Sequence, residues 1–369
     1  MLRSAQNPWT RGSPPGRIMA AMNSDPSDPV PPGDTPYAGL TPDLVIAAVE
    51  QSGALSDGRI LALNSYENRV YQVGLEAAEP VVVKFYRPGR WTRAAVLEEH
   101  AFALELAAAE IPVVAPLVQG GATLHEIEGY PFAVYPRRGG RWPDLDTADD
   151  RILMGRFLGR MHRVGGVRMF EHRPTLSIDR LGTEPANYIL DGDWLPDYQV
   201  ERYAELVDEL LGRIADAFDA AGPVRQLRVH GDCHRGNVLW TAVGPHFVDL
   251  DDCMRAPAVQ DLWMLMAGAR EERRAQWRDL LEGYEQFQEF DRVELGLVEA
   301  LRALRMIHYA AWLARRWHDP AFPRAFPWFG GTRYWDNHVQ ELQSSSRRST
   351  SLRCGYSAKL REVPDAELL

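Results

Sequence analysis

The 369-residue sequence holds only three cysteines, Cys233, Cys253 and Cys354, and no C-x-x-C pair. That excludes a disulfide framework and a cysteine zinc knuckle, and it fits a reducing, cytoplasmic setting. Long apolar runs are also missing. Those present, such as "VVV" and "AAA", fall far short of the roughly 20 residues a bilayer helix needs, so no membrane segment is expected. Positive charge is scarce: 41 Lys and Arg against 51 Asp and Glu give a net charge of −10. A sequence-independent nucleic-acid binder is thereby disfavoured, because neutralising phosphates takes clustered basic residues. Any phosphate bound here must be handled locally. What remains is ordinary globular composition, 45% hydrophobic and 25% charged, in a chain long enough for two domains.

Composition shifts twice along the chain. Residues 1–36, with "GSPPGR" and "SDPSDPVPPGDTP", are too rich in Pro, Gly, Ser and Asp to bury a core and read as a disordered leader. Its arginines are followed by no continuous apolar segment, so a secretory signal is not expected, and Met19 or Met22 are candidate true starts. Residues 344–369, opening with "SSSRRSTS", read as a mobile polar tail. Between these ends, "NRVYQVGL" and "EPVVVKFYRP" predict a hairpin and "YPFAVYPRRGG" a further strand. "TRAAVLEEHAFALELAAAE" predicts a helix with Leu97, Ala101, Leu104 and Ala108 on its packed face. Helices are then predicted over 149–164, 199–222 and 298–317. The fold class is α+β: a small antiparallel-sheet lobe over 37–136 and a larger helical lobe over 137–343.

The densest chemistry lies in "VHGDCHRGNVLWTAVGPHFVDLDD", Val229 to Asp252. Two short apolar strands joined by a turn around Gly244 and Pro245 would bring Asp232, Asn237 and Asp249 into one pocket. A carboxylate base, an amide oxygen and a second carboxylate are what magnesium-assisted phosphoryl transfer needs: hard ligands for Mg²⁺ and a base for the attacking hydroxyl. Alternation sets Phe247, Asp249 and Asp251 on one side, with Asp251 either a second ion ligand or a loop orienter. Upstream, Lys84 ends the apolar "VVVK", where a buried ammonium is costly unless paired. Glu99 is the favoured partner because it shares a helical face with Phe102 and Leu106, and Glu98 stays open. Such a pair would hold Lys84 against the phosphates of ATP. His230 and His234 read as packing histidines, and Asp261, just before "LWMLM", as a brace for the catalytic loop.

The order Lys84, Glu99, "HGDCHRGN", "VDLDD" resembles the kinase-like phosphotransferases that include aminoglycoside, choline and homoserine kinases. More narrowly, "LNSYENRVYQV", "VVKFYRP", "VHGDCHRGN", "FVDLDD", "PAVQDLWML" and "DPAFP" followed by "FPW" resemble the bacterial stress response kinase A family of serine/threonine protein kinases, over about residues 40–340. The resemblance implies a protein-kinase-like two-lobed fold, Asp232 as proton acceptor, Asn237 and Asp249 as Mg²⁺ ligands and Ser65 at the ATP phosphates. It also implies Ser or Thr side chains of proteins as acceptors and a role in stress survival.

Departures from the protein-kinase pattern are informative. The phosphate loop is "NSYENRV", without G-x-G-x-x-G, so Ser65, Asn68 and exposed amides must replace a glycine cradle. Eleven residues separate Asp249 from Asp261, too few for a phosphorylatable activation segment, and constitutive activity is expected. Three other classes stand beside the protein kinase: a small-molecule hydroxyl kinase, a metal-dependent hydrolase built on His230, Asp232 and His234, and a pseudokinase binding module.

Overall fold

The computed structural model describes residues 36–356; the expected leader, except for Pro36, and residues 357–369 of the expected tail lie outside them. The first element, not among the helices expected above, is α1 (Pro42–Gln51). Thr41 starts it by accepting the Leu44 N–H at 3.3 Å, and Pro42 occupies the first turn, where its missing N–H has no partner to lose. Five strands follow, β1 (Ser56–Ala62), β2 (Arg69–Leu75), β3 (Val81–Phe85), β4 (His125–Ile127) and β5 (Tyr130–Pro136), with α2 (Arg93–Ala108) between β3 and β4. They form one antiparallel sheet in the order β1-β2-β3-β5-β4.

The middle strand, β3, decides where the chemistry goes. Its alternation sends Val81, Val83 and Phe85 into the cluster with Val45, Ala48 and Val49 of α1. Lys84 therefore points to the opposite face, where its β5 neighbour Ala133 packs with Val96 of α2. The packed face of α2 is not the expected one. Leu97 is 40% exposed, whereas Val96, Glu99, His100, Ala103 and Leu106 are buried. With alanine at so many positions, apolar periodicity fits more than one rotation of this helix, and only the sheet selects between them.

The second lobe is mostly helical. It comprises α3 (Ala148–Gly165), a π-helical turn Asp179–Thr183 running into α4 (Glu184–Leu190), α5 (Asp197–Ala221), α6 (Val259–Leu262), α7 (Arg270–Tyr284), α8 (Val298–Arg315), α9 (Ala321–Ala325) and α10 (Thr332–Tyr356). The helices expected over 149–164, 199–222 and 298–317 correspond to α3, α5 and α8. α3 and α7 pack backbone to backbone: a Cβ on Gly155 would lie 2.0 Å from the Leu280 carbonyl oxygen. Two short antiparallel ladders interrupt the helices, β6 (Leu227–Val229) with β9 (Met254–Ala256) and β7 (Val238–Thr241) with β8 (Gly244–Phe247). The hairpin turn falls at Ala242 and Val243, earlier than expected, and Gly244 and Pro245 are strand residues.

The expected mobile tail is corrected over its first part. α10 runs unbroken through residue 343 to Tyr356, and Ser345 and Ser346 are buried. Arg213 of α5 donates to the Ser346 carbonyl at 2.8 Å, and Arg348 donates to Glu299 of α8 at 3.1 Å. Composition registers the polarity of "SSSRRS" but not the partners that α5 and α8 offer it. Among the described residues, no helix is long and apolar enough to cross a membrane.

Candidate active site

β6, paired with β9, leads directly into the segment His230–Asn237. Gly231 turns it at φ +83, and a Cβ there would meet the Asp252 carbonyl oxygen at 2.1 Å, so no larger residue fits. Asp261 fastens the turn, accepting the His230 N–H at 2.7 Å and the Gly231 N–H at 2.8 Å, with His162 Nε2 3.0 Å away. His230 Nε2 lies 2.9 Å from the Val248 carbonyl, and His234 Nδ1 accepts the Gly236 N–H at 2.8 Å. The hydrolase reading loses its ligands here, because no group of three or more His, Cys, Asp or Glu among the described residues is arranged to hold a metal.

Asp232 is buried, and the protein holds both of its carboxylate oxygens. Arg305 Nη2 of α8 is 2.7 Å from Oδ1, while Asn237 Nδ2 and His234 Nε2 lie 3.2 and 3.4 Å from Oδ2. Burial opposes ionisation, yet Arg305 and His234 outweigh it and hold the carboxyl down to about 2.

Beyond β8 the expected alternation breaks. Asp249 adopts a left-handed backbone, φ 60 and ψ 66, which Asp tolerates better than most residues. The chain then enters a tight turn over Leu250–Asp252, leaving the Asp249 side chain 38% exposed and burying Asp251. Both carboxylates still reach Lys84. Its Nζ donates to Asp249 Oδ1 at 2.9 Å and lies 3.2 Å from Asp251 Oδ1 and 3.8 Å from Glu99 Oε1. Burial alone would lower the Lys84 pKa, but Asp249, Asp251 and Glu99 reverse this and hold it well above the ordinary range. Burial pushes the Glu99 carboxyl up, against the pull of Lys84. Glu98 is engaged elsewhere, accepting the N–H groups of Glu171, His172 and Arg173 at 2.6 to 2.8 Å.

The loop between β1 and β2 is clamped to the helical lobe. Ser65 Oγ donates to the Asn68 carbonyl at 3.1 Å. Asn68 uses both ends of its amide, Nδ2 donating to Asp251 Oδ2 at 2.9 Å and Oδ1 accepting the Arg87 N–H at 3.1 Å. In this conformation it braces the two lobes. Glu67, also buried, binds Arg87 at 2.8 Å, Arg316 at 3.1 Å and Trp312 Nε1 at 2.7 Å. Asp319 holds Arg87 and Arg69 at 2.7 and 3.0 Å. Arg90 completes the clamp through ion pairs with Asp251 and, at 2.5 Å, Asp252.

A family model described as "Phosphotransferase enzyme family" matches residues 59–298. The chain is also 47% identical over 299 residues to "Stress response kinase A" of Escherichia coli strain K12, a match covering 81% of this chain and 90% of that protein. The chain belongs to the phosphotransferase enzyme family, in its stress response kinase A branch. The kinase is 45% identical over 303 residues to "Serine/threonine protein kinase RdoA" of Salmonella typhimurium strain LT2, covering 82% of this chain and 92% of that one. Among solved structures, amicoumacin kinase hAmiN in complex with AMP-PNP, Ca²⁺ and Ami aligns with 88% of this chain and 96% of its own, at TM-score 0.62 and 17% identity, a likeness of fold. The expected α+β, two-lobed architecture is therefore that of the kinase.

Asn237 and Asp249 could hold a divalent ion. Asn237 spends its Nδ2 on Asp232, which leaves Oδ1, and the partly exposed Asp249 offers a carboxylate to the cleft. One amide oxygen and one carboxylate suit Mg²⁺, which keeps waters and phosphate oxygens as its remaining ligands. Sequence patterning does not single out Arg305, Arg90 and Glu67. Each carries a charge that is buried in the fold, but Glu67 meets Trp312 across 245 residues, and no local pattern encodes that meeting.

Proposed function

We propose that this kinase transfers the γ-phosphoryl group of ATP, with Mg²⁺, to Ser or Thr hydroxyls of proteins in the cytoplasm. The observation that carries the reading is the buried Asp232 carboxylate, which pairs with Arg305 and Asn237, while Lys84 reaches Asp249 at 2.9 Å. In this reading, Lys84 binds the phosphates and Glu99 keeps it in place. Asn237 and Asp249 would hold Mg²⁺, which would supply neutralisation of the phosphate charge. Ser65 contributes at the mouth of the loop, and Asn68 fixes the loop to Asp251. Asp232 orients the acceptor hydroxyl: the acceptor oxygen bonds to the γ-phosphorus, the bond to the ADP oxygen breaks with its electron pair leaving on ADP, and the hydroxyl proton passes to the carboxylate. Protein as the acceptor class is supported by the name of the Salmonella relative.

The test is transfer from γ-labelled ATP to histone by the purified kinase without prior activation, followed by phosphoamino-acid analysis. Label on Ser or Thr is expected; no protein label alongside full ATP turnover on a small hydroxylated compound would overturn the acceptor class. Self-labelling is not expected at Ser345 and Ser346, because both are buried on α10. Asp249→Ala and Asn237→Ala are each expected to raise the Mg²⁺ concentration needed for half-maximal turnover, with partial relief by Mn²⁺. Metal titrations of both variants check this, and unchanged metal dependence in both would mean the ligands lie elsewhere.

A further inference from the structure

One face of α8 runs along the wall between the two halves of the site. Residues 305 and 312 fall on that face, and Arg316 follows directly at the C-terminal end of the helix. At one end, Arg305 reaches Asp232 at 2.7 Å; at the other, Trp312 and Arg316 grip Glu67 of the phosphate loop at 2.7 and 3.1 Å. Arg305 and Asp232 are 5% and 1% exposed, so solvent does little to weaken their pairing.

The catalytic loop does not need Arg305 for its shape. Asp261 holds the His230 and Gly231 amides, Gln260 Nε2 donates to the Gly231 carbonyl at 2.8 Å, and His230 is tied to Val248. All of these act on the backbone or on neighbouring side chains. None fixes the rotation of the Asp232 carboxylate. Asn237 and His234 approach Oδ2 at 3.2 and 3.4 Å, so Arg305, at 2.7 Å, makes the shortest of the three contacts and the one that holds Oδ1.

We propose that Arg305 is a positioning residue for phosphoryl transfer: it anchors Oδ1 of Asp232 and thereby presents Oδ2, on the Asn237 side, to the acceptor hydroxyl. This rests on the reading of Asp232 as proton acceptor. The proton released as the acceptor oxygen bonds to phosphorus arrives on Oδ2, while Oδ1 remains against the guanidinium. Without Arg305 the carboxylate is held only through Oδ2, by the longer contacts from Asn237 and His234, and even small misplacement of a reacting group is costly in rate.

ADP release with histone as acceptor, in wild type, Arg305→Met, Arg305→Lys, Asp232→Asn and the double variants, tests this. Arg305→Met is expected to lower kcat by about 10- to 100-fold with KM for ATP unchanged, and Arg305→Lys to recover part of that loss. In the Asp232→Asn background, neither substitution should lower kcat further, because the group it positions is already gone. Wild-type kcat in Arg305→Met, or the same loss with and without Asp232, overturns the assignment. Should Arg305→Met fail to fold, Arg305→Lys decides alone: reduced kcat that vanishes in the Asp232→Asn background supports positioning, and unchanged kcat refutes it. The single variant Asp232→Asn separately tests the proton-acceptor reading, which falls if that variant turns over like wild type.

Discussion

Asp232→Asn is expected to lower phosphoryl transfer by about 10²- to 10⁴-fold while ATP still raises the melting temperature of the variant. The side chain keeps its size, so the loop fastened by Asp261 and Gln260 should keep its path. What disappears is the negative charge that Arg305 and His234 stabilise and the oxygen that would take the acceptor proton. A carboxyl held down to about 2 is a weak base at neutral pH. Its contribution is therefore mainly orientation and late proton capture, which places the expected loss within general-base magnitudes and not beyond them. Steady-state turnover and an ATP-dependent thermal shift on the same preparation separate the two effects. Near-wild-type turnover would remove Asp232 from the reaction, and loss of the ATP-dependent shift would show that the substitution had damaged the nucleotide site as well.

Residues whose chemistry and neighbourhood are local in the chain are legible from the sequence alone. Lys84 stands out because a lysine in "VVVKF" needs a counter-charge, and Asp232 with Asn237 because both precede one hairpin. The strands β2, β3 and β5 and the long helices α3, α5 and α8 are visible for the same reason, each carrying its own period. The clamp is not legible. Glu67, Asn68, Arg87 and Arg90 sit within 24 residues of one another, but their partners Asp251, Trp312, Arg316 and Asp319 come far downstream. Charge in a loop reads as solvation until the fold shows it buried. Asn68 illustrates the cost: a polar residue in a glycine-poor phosphate loop suggests a phosphate contact, and the fold gives it Asp251. Arg305 is hidden differently, inside the amphipathic "VEALRALRMIHYAAWLARRW", where an arginine ordinarily marks the solvent face.

Lys84→Met is expected to abolish most turnover and to destabilise the fold by on the order of 3–5 kcal/mol, the cost of removing one partner from a buried ionic cluster. Three carboxylates lose the same cation, but not equally. Asp249 is partly exposed, and Asp251 keeps Arg90 and Asn68. Glu99 is 3% exposed, and among the described residues its only ion-pair partner within 4.0 Å is Lys84, at 3.8 Å. Burial already pushes the Glu99 carboxyl up, and without Lys84 it rises further above its unfolded value. The folded variant then binds a proton that the unfolded chain releases, so its stability should fall as pH rises through the interval between the unfolded and folded values. Denaturant unfolding of Lys84→Met should accordingly show a larger deficit relative to wild type at alkaline than at mildly acidic pH. Adding Glu99→Gln should remove that pH dependence and recover part of the stability without restoring turnover, because the phosphates still lack their cation. A deficit independent of pH, or one that Glu99→Gln leaves unchanged, would mean that Glu99 is not the carboxylate whose protonation Lys84 opposes.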